Sequence, residues 1–126
     1  MKRICVVITT RGNFAKTKSM MRAINAHADL ELQLVAGGAL LGRQSAILDE
    51  IRRDGFTIDR TLDYMMAAET PEAIGVGAAL CAMRMVAILN DLRPDTLVWL
   101  LYGNGIDLVH SEQLAPYIVA RTPGCR

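Results

Sequence analysis

The sequence predicts a single α/β domain: a Rossmann-like parallel sheet with helices on both faces. Three observations carry this reading. Apolar, β-branched runs recur at residues 3–8, 30–36 and 97–102, with a shorter one at 56–58. Segments in which apolar residues return every three or four positions fall between them. The resulting β-α-β-α-β-α-β alternation calls for right-handed crossovers, which produce a parallel sheet covered on both sides.

Residues 3–8 are apolar on both faces, as a buried parallel strand demands. Over 15–26, Met20, Met21 and Ile24 fall on one side and Lys16, Lys18 and Arg22 on another, which predicts an amphipathic helix. Residues 30–36 (LELQLVA) alternate and then turn continuously apolar, a second strand that Gly37-Gly38 ends. Residues 45–53 predict a helix with Ile47, Leu48 and Ile51 inward, and Gly55 stands where a left-handed cap is needed. Residues 56–58 read as a short third strand.

The sharpest helix signal is Thr70-Pro71-Glu72: a capping hydroxyl, a proline at the first helical position and an acid at the positive end of the dipole. Ile74, Ala78, Cys81, Met85, Ile88 and Leu92 then trace one apolar stripe, which Pro94 closes. Gly75 and Gly77 each cost about 1 kcal/mol against alanine inside a helix, so close packing is expected at both. Residues 97–102 (LVWLLY) give the fourth strand. No internal repeat, linker or low-complexity segment interrupts this order. Domain bounds of 1–102 for the Rossmann-like unit and 103–126 for a diverged or disrupted tail follow.

Composition narrows the function. The chain has 126 residues, enough for one domain with a real core. Net charge is +1 and no basic cluster suggests a nucleic-acid footprint. No uninterrupted apolar stretch reaches the roughly 18–20 residues that span a bilayer, so no membrane partner is expected. The run after Met1-Lys2-Arg3 stops at Arg11 without a small-residue cleavage site and reads as a strand rather than a secretion signal. Cys5, Cys81 and Cys125 lack a CxxC spacing, so neither a disulfide framework nor a zinc site is implied and the cytoplasm is the default compartment. Cys5, Cys81 and the methionines at 20, 21, 65, 66, 83 and 85 are expected to fill the core.

In open parallel sheets ligands bind beyond the carboxyl ends of the strands. Thr9-Thr10-Arg11-Gly12-Asn13 lies at that edge. Arg11 offers a fork of donors suited to phosphate, the next helix contributes N–H groups and dipole, and Lys16 adds charge one turn in. The candidate binding residues are therefore Arg11, Lys16, Thr10, Gly12 and Asn13, with Arg11 as an ordinary solvated loop residue the competing reading. There is no GxGxxG, so no dinucleotide cofactor is implied. Gly37-Gly38 and Gly103-Asn104-Gly105 mark the same edge but are also ordinary turns. His27 reads as a solvated residue near a helix end. His110, Ser111 and Glu112 are adjacent in sequence and do not compose a triad.

The segments KRICVVITTRGNFAKTKSMMRAI, DLELQLVAGGALL, EIRRDGFTID and ETPEAIGVGAALCAMRMVAILNDLRPD, in this order, resemble the N-terminal domain of UDP-N-acetylglucosamine 2-epimerases, particularly the hydrolysing kind used in sialic-acid-type sugar synthesis. The resemblance implies the N-terminal half of a glycosyltransferase-B architecture, with UDP-N-acetylglucosamine or UDP as ligand. It implies abstraction of the sugar C2 proton with loss of UDP, then addition of water. Arg11 and Lys16 match the family's basic positions near the UDP moiety. Two departures stand out. Thr9-Thr10 replaces a small pair before the arginine, and Gly103-Asn104-Gly105 stands where the family has Gly-Asp-Arg. Asn104 is no carboxylate base, so catalytic residues go unassigned, and the chain, as a truncated piece, is expected to be inactive alone. The alternatives are a stand-alone UDP- or anion-binding or interaction module, with a homo-oligomer left open, and a glycosyltransferase half of similar architecture.

Overall fold

The computed structural model describes residues 1–99. Its elements are β1 (Lys2–Ile8), α1 (Arg11–Ala26), β2 (Leu30–Gly37), a single 3₁₀ turn (Gly38–Leu41), α2 (Ala46–Arg53), β3 (Arg60–Leu62), α3 (Pro71–Leu92) and β4 (Thr96–Trp99). The four strands form one parallel sheet in the order β3-β2-β1-β4. This confirms the Rossmann-like α/β class.

Strand alternation divides the core into two layers. Val6, Ile8, Leu34 and Ala36 point to the face covered by α1 and α2, where they meet Phe14, Met21, Ile24, Ile47 and Ile51. Cys5, Val7 and Val35 point to the other face and meet Leu62, Tyr64, Cys81, Met85, Ile88 and Leu89. Each such aliphatic or aromatic side chain contributes about 1.5–3 kcal/mol on burial. Cys5 and Cys81 are fully buried, as core residues should be.

The chain runs β1 to β2 to β3 in one direction along the sheet and then returns past β2 and β1 to β4. Right-handed crossovers put α1 and α2 on one face and, after the reversal, α3 on the other. Gln33 fastens this return by donating from Nε2 to the Leu92 carbonyl at 2.8 Å.

Several local expectations are met. The Thr70 hydroxyl accepts from the Ala73 N–H at 3.1 Å, with Pro71 in the first turn. Gly55 follows α2 with φ at +92°. His27 caps the exposed end of α1, its Nδ1 accepting from the Asp29 N–H at 3.0 Å.

Others are corrected. Helix α1 begins at Arg11 rather than residue 15, because the Thr10 hydroxyl caps it by accepting from the Asn13 N–H at 3.1 Å. The third strand is Arg60–Leu62, not 56–58. Phe56 goes instead to the core beside Phe14, ring centroids 6.1 Å apart and edge to face. Asp59 sets the strand's start: its N–H donates to the Leu34 carbonyl at 2.8 Å and its carboxylate accepts from the Leu34 N–H at 2.8 Å. The fourth strand is described over Thr96–Trp99, and the expected residues 100–102 and the tail 103–126 lie outside the described residues. Met21 and Met85 are core as expected, whereas Met65, Met66 and Met83 are exposed. Gly77 is packed, since a Cβ there would sit 2.9 Å from the Tyr64 carbonyl oxygen, but Gly75 has nothing within 4 Å. Helix α3 also has the length and apolarity of a membrane-crossing segment, although one of its faces is buried on the sheet.

Candidate functional site

The carboxyl ends of β1 and β2 share one edge of the sheet, and the β1–α1 corner there is built by short-range hydrogen bonds. Asn13 is almost wholly buried. Its Oδ1 accepts from the Thr9 N–H at 3.0 Å and the Thr9 hydroxyl at 2.9 Å, and its carbonyl accepts from the Thr17 hydroxyl at 2.7 Å. With the Thr10 cap, these bonds turn the chain from strand into helix through only Thr9 and Thr10. Asn13 is thus a clamp beneath the corner, and its Nδ2 is buried with no hydrogen-bond partner among the described residues.

The structure places the five candidate residues differently from one another. Arg11 is exposed on the first turn of α1, and Gly12 is half-buried beside it. Lys16 is exposed on the second turn. Thr10 and Asn13 are structural. The first-turn donors are also partly occupied: the Arg11 N–H donates to Gln44 Oε1 at 2.7 Å, and the Asn13 N–H is held by Thr10. An anion at this corner would therefore meet the Gly12 N–H and the cationic side chains rather than a bare helix terminus.

Beside the corner lies a cleft of ≈ 580 Å³ at the ends of β2 and β3 and the start of α3, lined by Gly38, Arg43, Tyr64, Met66, Glu69 and Gly77 among others. None of the five predicted residues lines it. Gln44, which holds the Arg11 N–H, is the chain neighbour of Arg43 and links the two regions. Gly38 lets them approach: its φ is +57°, and a Cβ there would meet the Tyr64 hydroxyl at 2.7 Å and the Thr9 Cβ at 3.0 Å. Sequence reasoning missed Gln44, Arg43 and Tyr64. The left-handed Gly38 was legible as a turn, but nothing local announces which side chains converge over it.

Among the described residues, two carboxylates have shifted ionisation, both away from this edge. Asp54 lies below the usual carboxylate range because Lys18 hydrogen-bonds it, pairing at 2.5 Å, with Arg22 and Arg53 nearby. Asp95 is lowered chiefly by the Arg3 N–H, which donates to it at 2.8 Å, with the charges of Lys2, Arg3 and the N-terminus reinforcing the effect. Among the described residues, no three histidine, cysteine or acidic side chains come together to hold a metal.

No family model and no curated protein matches the sequence. Solved structures do match the fold. A UDP-GlcNAc 2-epimerase from Neisseria meningitidis, bound to UDP-GlcNAc, superposes with a TM-score of 0.70 at 14% identity over 95% of this chain and 29% of its own. The enzyme from Methanocaldococcus jannaschii gives 0.68 at 14% identity over 94% and 28%. That from Rickettsia bellii gives 0.60 at 18% identity over 94% and 29%. The chain therefore carries a Rossmann-like fold found in UDP-GlcNAc 2-epimerases, and it spans less than a third of their length.

Proposed function

We propose that this chain is a nucleotide-sugar-binding half of the UDP-N-acetylglucosamine 2-epimerase type, holding part of the UDP moiety at the β1–α1 corner. One observation carries the reading: an exposed guanidinium stands on the first turn of a 16-residue helix at the carboxyl edge of a parallel sheet. Its planar fork suits a diphosphate, and the Gly12 N–H and Lys16 lie on the same end of the helix. The Neisseria enzyme's ligand, UDP-GlcNAc, is the chemistry to try first.

In the full reaction the resemblance implies, a base removes the sugar C2 proton, the C1–O bond breaks with UDP as leaving group, and water adds to the glycal. Cations near the leaving diphosphate take up its growing charge, which is the part this chain's residues supply. Asn104 offers no base, so binding without turnover is the expected behaviour of the chain by itself.

The test is a UDP titration at low salt with Arg11→Ala beside the unaltered chain. Loss of a charge-assisted contact worth about 1.5–3 kcal/mol should weaken binding roughly 10- to 100-fold. Equal affinity in the two proteins would overturn the site. Incubation with UDP-N-acetylglucosamine should release no free UDP; robust release would place catalytic groups within this chain.

A further inference from the structure

The cleft beside the β1–α1 corner has a lining of a different kind from the corner itself. Its rims come from the turn after β2 and from the segment that joins β3 to α3, with Ala73, Ile74 and Gly77 of α3 closing one side. The floor is fixed. Tyr64 is only 1% exposed, and two glycines crowd it: a Cβ on Gly38 would stand 2.7 Å from its hydroxyl and one on Gly77 2.9 Å from its carbonyl oxygen. The walls are apolar and adaptable. Met65 and Met66 are 42% and 43% exposed, and Ala67, Ala68 and Ile74 line the cleft with them.

Charge gives this cleft a direction. Among the described residues, its lining carries one cation, Arg43, and one anion, Glu69. Both are exposed, and neither side chain has an ion-pair or hydrogen-bond partner among the described residues. They stand on different rims, so one rim is positive and the other negative. The negative rim is unsuited to phosphate. Pro71 has no N–H, the Ala73 N–H donates to the Thr70 hydroxyl and the Ile74 N–H donates to the Thr70 carbonyl. Glu72 adds a second acid on the first turn of α3. The group that suits this end is an ammonium, whereas the Arg43 fork suits a carboxylate.

We propose that the cleft binds a short apolar peptide with both termini free, its carboxylate on Arg43, its ammonium on Glu69 and its side chains on Met65, Met66 and Ile74. Such a ligand has an amine, an apolar body and an acid in the order in which the cleft presents their complements. At ≈ 580 Å³ the cleft is in the size range of small-molecule sites. Two residues, at roughly 3.3–3.6 Å each when extended, keep the two charges apart as the unpaired Arg43 and Glu69 require. The site is separate from the UDP corner and does not rest on the reading of it.

Calorimetric titration of the full chain with leucyl-leucine tests this, with circular dichroism confirming that each variant is folded. Saturable binding at millimolar concentration or below is expected, without competition from UDP. Acetylating the peptide removes its ammonium and amidating it removes its carboxylate; each should weaken binding severalfold at low salt, the scale of exposed charge pairs. In Glu69→Gln the penalty for acetylation should vanish while that for amidation remains, and Arg43→Gln should show the reverse. That crossed pattern is one a merely structural role would not produce. Absence of saturable binding overturns the proposal. So do capping penalties that persist unchanged in both variants, a doubly capped peptide that binds as well as the free one, or displacement of leucyl-leucine by UDP, which would make the cleft part of the nucleotide site.

Discussion

Gly38 is the residue on which the candidate edge turns. Its positive φ and the 2.7 Å between a Cβ and the Tyr64 hydroxyl are separate obstacles to any side chain. Gly38→Ala is therefore expected to cost about 1–3 kcal/mol, read as a lower urea midpoint at unchanged slope. Adding Tyr64→Phe should recover only part of that loss, because it relieves the contact and leaves the backbone strain. Asp54 gives the residue-scale pH dependence. Its carboxyl is held below the ordinary value of 3.8, chiefly by Lys18. The stabilisation is fully present above that ordinary value and is lost as pH falls through the lowered one. Asp54→Asn should be less stable than the unaltered chain at neutral pH, and the gap should close in acid, a comparison that urea melts at a series of pH values would make. At this scale the sequence was only half readable. Arg11 stands out because a lone cation ends an apolar run. Gln44, 33 positions away, reaches its N–H through tertiary folding and leaves no local trace.

Among the elements, α3 is the clearest case of local chemistry setting a boundary. Thr70→Ala removes the hydroxyl that accepts from the Ala73 N–H and should cost about 1 kcal/mol, seen as a lower midpoint in thermal unfolding followed by helical ellipticity. Caps, proline and period made this helix legible in full, and its exposed outer face was concealed by the same apolarity. A methionine on an apolar helix reads as core until the direction of the sheet is known, which is why Met83 was misplaced and Met85 was not. The short third strand was displaced for a related reason. Phe56 and Ile58 are apolar because they pack against the α1 and α2 layer, not because they pair, and the pairing register is set by Asp59 against Leu34. Helix α1 was read too short because Thr10 serves as cap and loop residue alike.

For the whole molecule, alternation of strand and helix was enough to give class, parallel strands and helices on both faces of the sheet. The order β3-β2-β1-β4 adds what periodicity cannot, that the first strand is interior and the chain doubles back over it. The edge so formed carries Arg11, Arg43 and a cleft beside them, while α3 turns the exposed Val76, Met83 and Val86 away from the sheet. Binding of UDP should accordingly be unchanged in Met83→Glu, which alters an exposed position on the far face of α3, a comparison that parallel UDP titrations would make.

The interior position of β1 also governs how the molecule comes off the ribosome. Ile4–Val7 find their β4 partners only at Thr96–Trp99, more than ninety residues later. At roughly 5–20 residues per second, the oily leading segment spends several seconds of synthesis with one side of its ladder open. Nascent chains are thus most prone to clump, and most in need of a chaperone, just before the fourth strand emerges.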